Sequence, residues 1–397
     1  MSDSSVYFEK PVHILFLPSG LGVGQMLEIS TAKSSFISSF FSNHPEINRI
    51  DFQILPLNTS TSPINDPFIM QIISDFILAS SLSQIANNLY IPLYNISTTS
   101  AKFYSIVAYL PVLLSEDPAA FKYSLSNLEI PGLGSVEKSN ILRSWLDHSP
   151  INYILKAYLL PNARALSQVT ETIAALDDGR VTSPLPLVFP IGPVGNYKLG
   201  ERNQCQWLDE QPAESVVYRR FWISSQQLRE IGKGLEICGY TFLWVLKEEH
   251  IELFENRVLE EMEKKGKIVK LGDYEAAIMD YPAIGLFVNQ CEWDSVMNAA
   301  WSGVPMLAWP QHGDQRLNAE VVEKAGLGRW VEEWGWGEEN LVNGGESAKM
   351  VKNLKGDINI KVNAMKVREQ ARKAKGIGGS SEKRLRKFIE TLKVEQK

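Results

Sequence analysis

Cysteine is scarce. The 397 residues hold three, Cys205, Cys238 and Cys291, odd in number, far apart and without metal-ligand spacing. That excludes a disulfide framework and a cysteine-based metal site, and it suits a reducing cytosol, where the protein is expected. Long apolar runs are missing as well. The longest, Phe103 to Leu114, is short and contains Pro111, so it does not cross a bilayer. No apolar segment follows the polar, acidic start MSDSSVYFEKP, so no secretory leader is expected and the sequons at Asn58 and Asn95 carry little weight. A basic excess is also absent: 40 Lys and Arg stand against 46 Asp and Glu, a net charge of −6. General nucleic-acid binding is therefore not expected. Internal repeats and low-complexity tracts are missing too.

What is present is apolar patterning. An apolar content of 44% over 397 residues supplies cores for two domains of ordinary size. The richest stretch runs from Ile284 to Gln315. Ile284 to Val288 is wholly apolar, the pattern of a strand buried on both faces. Gln290-Cys291-Glu292 makes a junction, after which Asp294 or Ser295 is placed to cap a helix carrying Val296, Met297, Ala299 and Ala300. Gly303 stops that helix, Pro305 to Trp309 supplies a second buried strand, and His312-Gly313-Asp314-Gln315 opens a second helix. Strand, helix, strand, helix in so few residues predicts parallel strands with right-handed crossovers. In such sheets ligands sit beyond the carboxyl ends of the strands, at helix N-termini.

Elsewhere the same alternation holds. Strands are expected at Val12 to Pro18, Asp51 to Leu57, Ile72 to Leu78 and Pro92 to Ile96, with helices from about Ser80 and Ser100. From Thr182 to Gly200 four prolines and three glycines predict a stiff connector. Beyond it, strands are expected at 215–221, 241–247, 267–271, 283–288, 306–309 and 329–334. Helices lie between, among them Ser225 to Cys238 closed by Gly239 and Ile251 to Lys265 closed by Gly266. The tail from Lys361 carries twelve Lys or Arg against four Glu and reads as two amphipathic helices with solvated faces, Ile389 and Leu392 being turned inward.

The wording of the central stretch, with AWPQHGDQRLNAEVVEKAGLG from Ala308 to Gly328, resembles the signature box of the plant small-molecule UDP-glycosyltransferases, in particular the branch that attaches sugar to carbon on flavonoid-type acceptors. The resemblance implies an α/β chain of two Rossmann-like, doubly wound domains facing a cleft (GT-B type). It divides the chain into an acceptor-side domain over 1–185, a linker over 186–200, a UDP-sugar domain over 201–380 and a final helix, 381–397, packing back on the first domain. It implies transfer of a sugar from a UDP-sugar, with inversion, to a flavonoid-like small aromatic acceptor. No metal or cofactor is implied beyond that co-substrate, and a monomer is expected.

Carried over residue by residue, the resemblance marks two catalytic places. PSGLGVGQ resembles the loop whose His takes the acceptor's proton, and here that place falls on Gln25, with one extra residue in the loop. An amide has no usable pKa, so the roughly 10²–10⁴-fold contribution of a general base is expected to be missing. Without the family, the glycines equally fit a tight turn. Asp75 stands where the family's Asp orients that His; the plainer reading is a cap for the next helical region. On the donor side, Gln290-Cys291-Glu292-Trp293-Asp294-Ser295 stands for the family's His-Cys-Gly-Trp-Asn-Ser, which holds the pyrophosphate. Trp293 and Ser295 match, Gln290 replaces an imidazole donor, and Glu292 and Asp294 place carboxylates where neutral groups are usual. One carboxylate about 4 Å from a phosphate costs on the order of 4 kcal/mol at an effective dielectric of 20. Gly272 replaces the uracil-stacking Trp, Glu275 the uracil-reading Gln, and Asn298 the ribose-holding Glu. Asp314-Gln315, the sugar-binding pair, is intact, with His312 beside it; the plainer reading makes Asp314 an ordinary helix cap.

Against the family, a helix and strand after Gln25 and a helix near Met70 are missing, so the first domain is expected to be shortened. Tyr218 to Trp222 also stands in place of a Ser-Phe-Gly-Ser turn. Two functional expectations remain open on the residues: a sugar transferase, or a glycosyltransferase-like protein that binds without turnover. A nicotinamide dehydrogenase is excluded by the wrong glycine spacing.

Overall fold

The computed structural model describes residues 13–17, 69–75, 86, 88, 90, 92–96, 99–106, 127–130, 133–141, 191–193, 205–220, 224–270, 278–335 and 340–394. Gln25, Gly272, Glu275, the strand expected at Asp51 to Leu57 and most of the Pro/Gly connector lie outside the described residues. Two compact units divide the chain. One comprises 1–98, 148–167 and 389–397, the other 99–147 and 168–388.

In the first unit three parallel strands pair in the order β1 (His13–Leu17), β2 (Ile69–Asp75), β3 (Leu93–Ile96). The middle strand begins three residues earlier than its apolar run suggests, so Asp75 is its last residue, with Ile96 as its register partner.

The second unit contains a two-stranded antiparallel piece, β4 (Leu128–Ile130) with β5 (Gly134–Val136), and a six-stranded parallel sheet. That sheet is built from β6 (Val216–Arg220), β7 (Thr241–Leu246), β8 (Gly266–Lys270), β9 (Ile284–Asn289), β10 (Met306–Ala308) and β11 (Gly328–Trp330). The order β11-β10-β9-β6-β7-β8 reverses direction between β9 and β6. This is the doubly wound arrangement, and its switch point lies between the ends of β6 and β9.

Besides the helical stretch 101–106, where a helix from about Ser100 is expected, the described helices include α1 (Gln206–Asp209), α2 (Ser225–Cys238), α3 (Glu248–Ile251), α4 (Asn256–Glu263), α5 (Trp293–Ser302), α6 (Gln315–Lys324), α7 (Gly344–Gly356), α8 (Ile358–Lys375) and α9 (Ser380–Val394). Alternate strand residues serve opposite faces. Val216, Tyr218 and Phe287 pack with Val296 and Ala299 of α5, Val322 of α6 and Ala364 of α8. Val217, Phe242, Trp244 and Leu286 pack with Leu228 and Ile231 of α2 and Val351 of α7. Each such fully buried side chain stabilises the fold by about 1.5–3 kcal/mol relative to exposure. Tyr218 and Phe287, register partners across the switch point, stack at 4.8 Å between ring centroids and 8° between planes.

Several boundaries follow from named residues. Helix α2 starts where the Ser224 hydroxyl accepts from the Gln227 amide and stops at Gly239, in the left-handed region at φ 74°. The helix expected over Ile251 to Lys265 is shorter, α4 alone, since the separate α3 already ends at Ile251, and Gly266 opens β8 rather than closing a helix. The last strand ends at Trp330, not Trp334, because Glu332–Trp334 forms a 3-10 turn ending at Gly335. The basic tail forms the two expected helices, α8 and α9. The side chains of Ile389 and Leu392 lie outside the described residues.

Candidate functional site

Two junctions lie side by side at the carboxyl ends of β9 and β10. Strand β9 is buried along its whole length, and its last residue organises the turn. Asn289 Nδ2 donates to the Arg220 carbonyl at 2.7 Å, bridging the switch point, while Asn289 Oδ1 accepts from the Cys291 amide at 2.7 Å. That bond helps hold Cys291 at φ 70°, a region a non-glycine residue enters only when its surroundings require it. Cys291 is fully buried, and burial pushes its thiol well above the ordinary range, so it is no nucleophile.

The helix after this turn begins two or three residues earlier than the sequence suggests. Glu292, not Asp294 or Ser295, is the N-cap of α5, and its side chain makes no capping bond. Its carboxylate instead accepts from Gln290 Nε2 at 2.7 Å. Gln290 is itself buried, at 2% exposure. Asp294 lies in the first turn of α5, exposed, and Asn298 follows one turn later on the same exposed side. Ser295 is turned inward, and Trp293 packs partly against the core.

At the second junction Gln315 is the organiser. It is 1% exposed, and its Oε1 accepts from the amides of Gln311 at 2.8 Å and His312 at 3.0 Å. Its Nε2 lies 3.5 Å from His312 Nδ1. Gln311 in turn donates to the Trp309 carbonyl at 2.9 Å, and Gly313 takes φ 67° to turn the chain into α6. Asp314 occupies the N-cap position of α6 without a side-chain capping bond.

The junctions are joined. The Trp309 amide donates to the Asn289 carbonyl at 2.9 Å, and Asn318 Nδ2 of α6 donates to the Cys291 carbonyl at 3.0 Å. Burial raises the Asp314 carboxyl above its ordinary value, and the nearby Asp294 charge acts in the same direction; Asn318 and His312 oppose them. Burial lowers the His312 imidazole, with the Asp314 charge opposing. The site therefore gathers Gln290, Glu292, Asp294, Ser295, His312, Asp314 and Gln315 around two helix starts, with three carboxylates among them. Asn289, Gln311 and Asn318 were not singled out in the sequence. Only the spacing of Asn318, one helical turn after Asp314, signals its part.

A flank of this unit is tied to α6. Glu320 accepts from Asn140 Nδ2 at 2.7 Å and from Lys102 and Lys324, the last at 3.3 Å. Burial opposes ionisation of Glu320, but these partners outweigh it and hold its carboxyl below the ordinary value.

Residues 219–369, which include both junctions, match the family described as UDP-glucoronosyl and UDP-glucosyl transferase. Over 416 residues the chain is 35% identical to UDP-glycosyltransferase 708C1 of Fagopyrum esculentum, covering 92% of this chain and 87% of that one. The chain belongs to the plant UDP-glycosyltransferase family. It is also 33% identical over 412 residues to UDP-glycosyltransferase CGT of Oryza sativa subsp. indica, with 91% and 87% covered. Among solved structures it is similar to LpCGTa in complex with UDP, at a TM-score of 0.77 and 31% identity, covering 96% of this chain and 92% of that one. Medicago truncatula UGT71G1, solved with UDP-glucose, shares the fold at a TM-score of 0.74 and 23% identity, with 96% and 98% covered. The fold is α/β of the GT-B type. Among the described residues no helix is long and apolar enough to cross a membrane, and no group of three His, Cys, Asp or Glu is placed to hold a metal ion.

Proposed function

We propose that this family member takes a UDP-sugar as donor and a flavonoid-like small aromatic molecule as acceptor, and that it binds the donor weakly and transfers slowly. The observation that carries this reading is Glu292. Its carboxylate stands at the start of α5, beside the switch point, and is held there by the Gln290 amide. An anion is favoured at a helix N-terminus, and here the chain supplies its own. Asp294 adds a second negative charge in the same turn. Helix-dipole stabilisation of a first-turn carboxylate is roughly 0.3–1 kcal/mol, whereas repulsion of a phosphate at about 4 Å is on the order of 4 kcal/mol, so repulsion dominates.

In this reading the remaining donor contacts come from Ser295 and Trp293 on α5, Asn298 one turn further on, and Asp314, Gln315 and His312 at the sugar, with Glu275 assigned by the resemblance to the place of the uracil-reading residue. Gln315 has its carbonyl oxygen occupied by two loop amides, which leaves Nε2 as its group for a sugar hydroxyl. On the acceptor side the resemblance assigns Gln25 the place of the base and Asp75 the place of the residue that orients it. Gln25 positions a hydroxyl without removing its proton, so chemistry rests on the acceptor's own acidity. In the reaction implied by the resembled branch an aromatic carbon of the acceptor attacks the sugar's anomeric carbon, UDP leaves and the ring proton is lost to solvent. This tolerates a missing base better when the acceptor is already a phenolate.

The test is product formation from UDP-glucose and a polyphenol acceptor, followed by chromatography with time. Slow product, accelerated by Gln25→His by up to roughly 10²–10⁴-fold, supports the reading. A second reading, binding without turnover, rests on Glu292, Asp294, Gly272 and Asn298 together with Gln25, and complete inactivity of both proteins despite measurable acceptor binding favours it.

A further inference from the structure

Charge is distributed unevenly along the chain. Residues 358–387 carry ten Lys or Arg against two Glu, a net +8, whereas the rest carries 30 against 44, a net −14. This basic stretch comprises α8, the turn after it and the first half of α9. One side of α8 is spoken for: Ile360 and Ala364 are buried, and Arg372 Nε donates to the Trp301 carbonyl at 3.2 Å. The opposite side is a stripe of a different kind. Ile358, Val362 and Met365, at spacings of four and three, are 71%, 49% and 40% exposed. Glu369 and Lys373 continue the same line, also exposed, and the turn beyond presents Ile377 at 104% exposure.

A solvated helix face has no reason to carry three aliphatic side chains in register. Nor is Ile377 explained by the turn, which its glycine neighbours alone would satisfy. Lys366 and Lys373 border the stripe, and Lys383 and Arg384 stand exposed just past the turn. Apolar residues along one line, rimmed by cations, match an anionic lipid surface in both chemistry and charge.

We propose that the outer face of α8, with Ile377 at its end, docks on a phospholipid surface bearing anionic headgroups. The helix lies in the plane of the interface: Ile358, Val362, Met365 and Ile377 enter the headgroup boundary, and Lys366, Lys373, Lys383 and Arg384 meet phosphates and carboxylates. Attachment is peripheral and reversible, and it falls with salt as the cations are screened. Glu369 is the one unfavourable group on the stripe.

The experiment is co-sedimentation of the full chain with vesicles of phosphatidylcholine alone and of phosphatidylcholine mixed with phosphatidylserine, at low and high salt. Partitioning onto the mixed vesicles only, weakened by salt, is expected. Each basic residue near the surface strengthens partitioning by about fivefold, so Lys373→Glu with Lys383→Glu and Arg384→Glu should weaken it by at least about a hundredfold. Ile377→Asp should weaken it and Glu369→Lys strengthen it. All five positions are exposed, and an unchanged thermal melt confirms that the fold is kept. A charge-matched control changes Lys264, Lys324 and Lys349 to Glu on other surfaces and should leave partitioning within a few fold. No partitioning, equal partitioning onto neutral vesicles, or an equal loss in the control overturns the proposal. So does concentration-dependent self-association abolished by Ile377→Asp, which would make the face an interface between copies of the chain.

Discussion

Gln290 Nε2 and Glu292 Oε1 are 2.7 Å apart, a hydrogen bond spanning the turn between β9 and α5. Gln290, which the proposed reading assigns to a ligand at the helix start, thus spends one of its two N–H groups on a carboxylate of its own chain. Removing the charge while keeping the shape tests what this contact does. Glu292→Gln should tighten UDP binding by at least about tenfold at low ionic strength, and by less in high salt. Titrations of both proteins at two salt concentrations measure the difference; a gain independent of salt would point to shape instead.

Gln315→Ala should destabilise the protein through the loop rather than through any ligand. It removes the acceptor of two loop amides, the buried one of Gln311 and the part-buried one of His312. Leaving buried backbone donors unsatisfied costs about 1–3 kcal/mol each. Urea unfolding gives the value, and a change under about 0.5 kcal/mol, the size usual for surface positions, would show that the loop finds other partners.

Glu320 makes a pH prediction with a definite sign. Its folded-state pKa lies below the unfolded value of 4.5, because Lys102 and Asn140 outweigh burial. The stability it contributes is therefore present above the unfolded value and is lost as pH falls through the lower folded value. Glu320→Gln should lower stability at neutral pH and flatten the acid limb of the stability curve. Thermal melts between pH 3 and 7, about the range in which carboxylates titrate, follow it; parallel curves for the two proteins would contradict it.

Asp314 has the opposite sign. Burial and the Asp294 charge raise its folded pKa above the unfolded 3.8, so its ionisation costs stability, and that cost grows as pH rises from the unfolded value through the folded one. Asp314→Asn should raise the melting temperature at neutral pH and leave it nearly unchanged in acid. The same change should weaken any sugar contact, since the amide accepts fewer hydrogen bonds than the carboxylate. A variant no more stable than the unmodified protein at neutral pH would contradict the assignment.

The sequence made the scaffold legible where local chemistry and tertiary burial agree. Ser224 and Gly239 bracket α2 as their residue types require, and the apolar run from Ile284 gives β9. It was less informative where one apolar period hides a break: α3 and α4 share a continuous helical pattern, but the chain leaves the helix at Glu252 to Glu255. At the site, the acidic residues were visible by type. Their arrangement was not. Glu292 takes the cap position because Cys291 adopts a left-handed backbone, which nothing in its residue type announces. Gln315 looks like a ligand-facing polar residue, and only its burial shows that it also holds the loop.

The most direct test is calorimetric titration of the unmodified protein with UDP, beside the variant carrying Glu292→Gly and Asp294→Asn. Weak binding that the paired change tightens is the predicted result. Low-micromolar affinity in the unmodified protein, or no gain in the variant, would contradict the claim that its own carboxylates keep the diphosphate out.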